Sequence, residues 1–135
     1  MKVCKEKFDH VVILINELFL SFVFFSDAPE CRDYNVLSEP SRHQSYCRGT
    51  NSDGSLAPGW YRFQSGLYTR MIDSCIPHHR CLTNMPGWFN GGQSTLEDGI
   101  AAREACFHGY YNCCYRRVQI RVRRCDGFFV YELPP

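Results

Sequence analysis

Eight of the nine cysteines in this chain fall between Cys31 and Cys125, and that even set constrains the fold more than any other feature. Cys31, Cys47, Cys75, Cys81, Cys106, Cys113, Cys114 and Cys125 can close as four disulfides. The ninth, Cys4, lies upstream in a stretch laid out like a leader, whose removal turns an odd count even. Disulfides persist only in oxidising compartments, so the pattern predicts a secreted, extracellular protein. Just over a hundred residues suffices for one domain. Four bridges, each worth roughly 2–5 kcal/mol in small secreted domains, would supply much of its stability.

Lys2, Lys5 and Lys7 form a basic start, and an apolar run from Val11 to Phe25 follows. A positive region before a short apolar one is the layout of a secretory signal peptide. The run is shorter than the roughly 20 residues a bilayer core requires. Asn16 and Glu17 interrupt it, and a charge at mid-span costs on the order of 2.5–3.5 kcal/mol. The reading is a signal peptide over residues 1–26 and one domain over 27–135, with no stable membrane span.

All three lysines lie in the first seven residues, so beyond them every cation except histidine is arginine. The formal net charge is +1, which gives no general case for a nucleic-acid partner. No asparagine is followed by x-Ser or x-Thr, so the standard N-glycan acceptor is absent.

Asp33 to Tyr46 reads as an extended, loop-like segment, and Arg48 to Ala57 as a loop rich in Gly, Ser, Asn and Asp. Pro58-Gly59 suits a type II turn, and Trp60-Tyr61-Arg62-Phe63 then reads as a strand with Tyr61 and Phe63 on one face. Pro86-Gly87-Trp88-Phe89 looks like a second turn-then-strand unit, followed by a turn at Asn90-Gly91-Gly92. Gly99 to Tyr111 stays open between helix and strand. Ile100 to Ala105 has helix-forming composition, but Gly109, Tyr110 and Tyr111 oppose it. In Cys114 to Arg124, Val118, Ile120 and Val122 alternate with Gln119, Arg121 and Arg123, which predicts a half-buried strand. Asp126-Gly127 then turns the chain into a short aromatic strand over Phe128 to Tyr131.

Cys75, His78, His79 and Cys81 crowd together, yet they lack the paired spacing of a structural zinc site, so no metal or other cofactor is expected. Cys113-Cys114 reads as structural: successive strand residues face opposite ways, so the pair can tie two different parts of the fold. His43, His78, His79 and His108 are candidate bases, but no nucleophile elbow or paired-carboxylate motif accompanies them, and no enzyme activity is expected. Arg116, Arg117, Arg121, Arg123 and Arg124 are a candidate anion-binding stripe, because arginine grips sulfate or carboxylate in a bidentate way. The blander alternative pairs them with Glu97, Asp98 or Glu104. Trp60 and Trp88 read as core or sheet-covering residues rather than a sugar platform.

The order Tyr34-x-x-Leu37-x-Glu39-Pro40-x-Arg42, Cys47, Leu56-Ala57-Pro58-Gly59-Trp60-Tyr61-Arg62-Phe63 is specific. It continues through Met71, Cys75-Ile76-Pro77, Cys81, Pro86-Gly87-Trp88-Phe89-Asn90-Gly91, Gly99-Ile100, Arg103, Cys106, His108, the vicinal cysteines and Phe129-Val130-Tyr131-x-Leu133-Pro134. This pattern, from Cys31 to Pro135, resembles the eight-cysteine extracellular domain of the uromodulin and pancreatic zymogen-granule membrane glycoprotein type. The resemblance implies a mainly β fold: a small disulfide-rich antiparallel domain with long loops, little helix and no catalytic activity. It tips residues 99–111 towards strand. It also implies the pairs Cys31–Cys125, Cys75–Cys113 and Cys106–Cys114, which leaves Cys47 to Cys81.

The chain departs from that family in places. Related modules usually accompany other extracellular domains, so this one is either a stand-alone module or a fragment of a longer product. Arg48 stands where relatives tend to carry an acidic residue. Relatives that act as glycan decoys rely on a glycosylated asparagine, which has no counterpart here. The expectation is a secreted, non-enzymatic interaction module showing loops 48–57 and 90–98 to an extracellular protein or glycan. The alternatives are a defence or toxin-like polypeptide acting alone and an unrecognised secreted hydrolase.

Overall fold

The computed structural model describes residues 1–7, 28–64 and 69–134. The apolar run read as a leader core lies outside them. Nine strands follow in chain order: β1 Lys2–Val3, β2 Lys5–Lys7, β3 Asn35–Leu37, β4 Gly59–Phe63, β5 Thr69–Met71, β6 Pro86–Asn90, β7 Ile100–Gly109, β8 Asn112–Cys125 and β9 Phe128–Leu133. Helix is confined, among the described residues, to short 3-10 turns at Pro29–Cys31, Pro40–Arg42 and Leu96–Asp98. The fold is mainly β, and no helix among the described residues is long and apolar enough to cross a membrane.

The long β7–β8 hairpin organises everything else. In β8 the expected alternation holds: Ile120 and Val122 are buried, while Gln119 and Arg121 are exposed. β7 pairs antiparallel with β6 on one side and β8 on the other. Ladders on both edges, with Ala105 and Phe107 buried against the core, outweigh the helix propensity of Ile100 to Ala105, so this segment is a strand. The sheet runs β1-β6-β7-β8-β9-β4-β3, and β2-β5 forms a separate two-stranded ladder. The pairs β1–β6 and β3–β4 are parallel. β3 is a short strand inside the segment expected to be loop-like.

Tyr61, Phe63, Phe89, Phe107, Phe129 and Tyr131 supply the bulk of the main core. Tyr131 is its hub, with Phe63 and Phe89 ring centres 5.4 and 5.9 Å away. Its hydroxyl accepts from the Met71 amide at 3.2 Å and donates to Gln93 Oε1 at 3.3 Å. A buried phenol thereby finds the partners it needs, and burial drives its pKa upward.

Three bridges form as Cys31–Cys125, Cys75–Cys113 and Cys106–Cys114. The fourth differs from the expected arrangement: Cys81 is joined to Cys4, and Cys47 is an exposed free thiol. The cause is the docking of residues 1–7, which on sequence alone look like part of a leader. β1 lies along β6, and β2 pairs with β5. This brings Cys4 into a second apolar cluster with Ile72, Ile76 and Cys81, covered by Trp88. Beneath these strands sits Arg42, only 2% exposed. It donates to Asp53 Oδ1 at 2.7 Å, Glu39 Oε2 at 2.8 Å and the Val3 carbonyl at 3.2 Å, so the buried charge is fully engaged.

Candidate functional site

The β7–β8 hairpin turns through Tyr110 and Tyr111, between the paired residues Gly109 and Asn112. A two-residue hairpin loop whose twist matches its strands requires positive φ at both central positions. Tyr110 and Tyr111 adopt it, at φ 47° and 60°. Neither is glycine or asparagine, so both bear the steric cost of a Cβ in the left-handed region. Tyr110 is 75% exposed and Tyr111 fully so, with Tyr115 exposed beside them. The Tyr110 and Tyr115 rings lie 4.8 Å apart. Gly109 permits this pairing because a Cβ there would meet Met85 Cε at 3.1 Å and the Tyr115 ring at 3.2 Å.

The tip is covalently braced. The register shifts between Phe107 and Gly109, so His108 alone opposes Cys113, Cys114 and Tyr115. This bulge presents the vicinal cysteines to different partners. Cys114 bonds back to Cys106 on β7, and Cys113 bonds to Cys75 in the preceding loop. The Trp88 indole donates to the Cys113 carbonyl at 2.7 Å, and Asn112 Oδ1 accepts from the Cys114 amide at 2.9 Å. Two bridges, an indole clamp and a local Asx contact therefore brace the backbone beside three exposed phenols.

The five arginines singled out from the sequence do not form one stripe. Arg117, Arg121 and Arg123 lie on the polar face of β8, whereas Arg116 and Arg124 share the face of Val118, Ile120 and Val122. Arg117 pairs with Glu104 at 3.1 Å, and Arg123 with Glu30 at 2.7 Å. Arg121 grips Glu132 through two contacts, and these hold the Glu132 carboxyl below its usual range. Arg124 lies 5.8 Å from the Phe129 ring centre. Arg116 lines an apolar groove of about 180 Å³ with Val3, Leu56, Phe107 and Val118. Of the acids foreseen as partners, only Glu104 pairs with this group among the described residues; Glu30 and Glu132 are the others.

Trp60 and Trp88 are half-buried sheet residues, Trp60 lying 5.7 Å from the Arg121 guanidinium. The loop at 48–57 is largely exposed and borders the groove. The 90–98 loop is more tightly anchored: Ser94 and Leu96 are buried, and Thr95 and Asp98 form a capping box. His43 Nδ1 faces Ser45 in an exposed local turn. His79 and His108 are held by Asn84 and by the Ile76 carbonyl. His78 lies against both rings, and partial burial with those two neighbours lowers its pKa. The tyrosine tip escaped sequence reasoning. Its trace there is Gly109-Tyr110-Tyr111-Asn112, two residues flanked by turn formers between one strand and the vicinal cysteines.

Residues 61–135 match the model of the uromodulin-like family of eight-cysteine domains. The dog pancreatic secretory granule membrane major glycoprotein GP2 is 40% identical over 104 residues, covering 76% of this chain and 20% of that protein. Human GP2 is 38% identical over 104 residues, covering 76% and 19%. Rat uromodulin is 39% identical over 108 residues, covering 78% and 17%. The chain thus spans about a fifth of the length of the curated relatives it matches. With the four disulfides, these matches mark an extracellular protein. The chain belongs to the uromodulin-like family of eight-cysteine domains.

Proposed function

We propose that the chain is a secreted, non-enzymatic binding module that engages an extracellular protein or glycan through Tyr110, Tyr111 and Tyr115. One observation carries this reading: two bulky residues occupy left-handed positions with their rings in solvent, where Asn-Gly would be relaxed. Strain of this kind costs of order 1–3 kcal/mol per residue and clusters at functional positions. Tyrosine suits the task, since it offers a large amphipathic contact at low conformational cost. Bracing by Cys75–Cys113 and Cys106–Cys114 lowers the ordering penalty on association. The non-enzymatic part is supported by His43, His79 and His108, which are held by Ser45, Asn84 and a backbone carbonyl rather than by a carboxylate.

The test is a comparison of the wild-type chain with a Tyr110→Ser/Tyr111→Ser double variant on glycan arrays and on displayed extracellular proteins. Wild-type binding reduced at least tenfold in the variant is the expected outcome. Undiminished binding by the variant would place recognition elsewhere on the domain.

A further inference from the structure

The two sides of β8 are not equally covered. On one side β7 pairs with it continuously from Arg116 to Arg123. On the other side β9 pairs with it only from Arg121 to Cys125. β9 stops at Leu133, where Pro134 follows, and proline has no N–H with which to extend a ladder. From Arg116 to Ile120, β8 therefore has β7 on one side and no strand among the described residues on the other. No backbone hydrogen bond from another described segment reaches this stretch either. The result is an open edge of roughly 17 Å, and an open edge is a template for pairing with another chain. We propose that the Arg116–Ile120 edge of β8 accepts an extended acidic segment of an extracellular protein as an added antiparallel strand.

Three observations carry the assignment. First, the open stretch has the length of an ordinary strand. Both existing neighbours of β8 run antiparallel to it, so an added antiparallel strand continues the line of β9 past Pro134.

Second, the edge is flanked by the apolar groove of about 180 Å³. Ala105, Phe107 and Val118 form part of its lining, with Val3, Leu56 and Pro134. Alternate side chains of an added strand point to this face of the sheet. Strand addition works in this way: main-chain bonds give affinity, and pockets for alternate side chains give specificity.

Third, Arg116 is exposed, lines the same groove and has no ion pair with a described acid. It differs in this from Arg117, Arg121 and Arg123, which are held by Glu104, Glu132 and Glu30. A carboxylate on the added strand would give its guanidinium a bidentate partner.

The same charges select the occupant. β8 carries five arginines and no Asp or Glu. Pairing this edge with a second copy, centred on Arg116 and Arg117, would set arginine against arginine, which is destabilising. An acidic strand meets the opposite sign. In an antiparallel strand, the residue facing Val118 comes two positions before the residue facing Arg116. The favoured segment therefore has an apolar residue followed two positions later by Asp or Glu.

A displayed library of random linear heptapeptides, panned on the oxidised full chain, tests the proposal. The enriched peptides should share the apolar-x-acidic order. A synthetic copy of the most enriched one should slow amide exchange within Arg116–Ile120 and lose binding when its alternate amides are N-methylated. Arg116→Glu should weaken it at least tenfold, and replacing the peptide's acid by lysine should restore binding to that variant. The Tyr110→Ser/Tyr111→Ser variant should bind the peptide as the wild type does, which separates this edge from the tip. Four results would overturn the edge site: enriched peptides without the acid, affinity unmoved by Arg116→Glu, binding lost with the two tyrosines, or a peptide-free dimer that protects Arg116–Ile120.

Discussion

At the residue scale, the most unusual group is Lys5. It is 2% exposed, and its ammonium nitrogen has no hydrogen-bond partner among the described residues. Burial first, and then the neighbouring Arg42 charge, lower its pKa from 10.5 to about 8. The unfolded chain therefore binds more protons than the folded one between pH 8 and 10.5. Stability must rise with pH across that window, while below it both states are protonated and the penalty is constant. Replacing Lys5 by Met removes a charge that burial disfavours and keeps the stem that packs there. We expect Lys5→Met to stabilise the protein at neutral pH by on the order of 1–3 kcal/mol and to flatten the rise. Urea midpoints of wild type and variant, compared at about pH 7 and about pH 10, check this. Lys2, whose pKa burial also lowers, leaves a smaller rise in Lys5→Met, and a rise undiminished by the substitution would mean that Lys5 does not carry it. Arg42 shows the opposite solution to the same problem, since Asp53 and Glu39 surround its guanidinium.

At the scale of elements, the β7–β8 turn offers a sharper trial, because strain and use pull in opposite directions. Tyr110→Asn with Tyr111→Gly supplies the residues that positive φ favours. It should raise stability by about 1–2 kcal/mol, read as a shift in denaturant midpoint, while abolishing binding at the tip. If stability fell, the left-handed turn would not be the native one. The same hairpin shows what could be read in advance. β4, β8 and β9 announce themselves through alternation, since Tyr61 and Phe63 or Ile120 and Val122 must share a face. β7 does not, because Ile100 to Ala105 would suit a helix, and only pairing with β6 and β8 decides otherwise. β1 and β2 were hidden for a different reason: lysines before an apolar run look the same whether they open a leader or edge a sheet. The tyrosine tip was invisible as a site because exposure is a property of the fold. The arginines seemed to form a stripe only until alternation along β8 was combined with Glu30, Glu104 and Glu132 from other segments.

At the scale of the whole molecule, the disulfides divide the labour. Cys31–Cys125 closes the start of the domain onto the end of β8, and Cys75–Cys113 and Cys106–Cys114 fix the hairpin tip. Cys4–Cys81 is the only disulfide among the described residues that ties residues 1–7 to the rest, spanning 77 positions. Cys47 sits beside that link. It forms an isolated antiparallel bridge with Arg80, one residue before Cys81, and Arg80 Nη1 donates to its sulfur at 2.8 Å. Flanking bonds from the Arg48 amide to the His79 carbonyl at 2.9 Å and from the Leu82 amide to the Tyr46 carbonyl at 3.4 Å hold the two segments together. Cys81 thus has Cys47 on the segment paired beside it, and the docking of β1 and β2 joins it to Cys4 instead. In the full chain, non-reducing peptide mapping should find Cys4 with Cys81 and a single alkylatable thiol at Cys47. In Cys4→Ser, or in a chain begun at Ala28, Cys81 loses its partner while the next residue back, Arg80, still pairs with Cys47. A Cys47–Cys81 bridge should then form under oxidising conditions, and the free thiol should vanish. Finding Cys47–Cys81 already closed in the full chain would show that residues 1–7 do not dock against β5 and β6. Two thiols persisting after oxidation of Cys4→Ser would show that the bridge to Arg80 holds Cys47 out of reach.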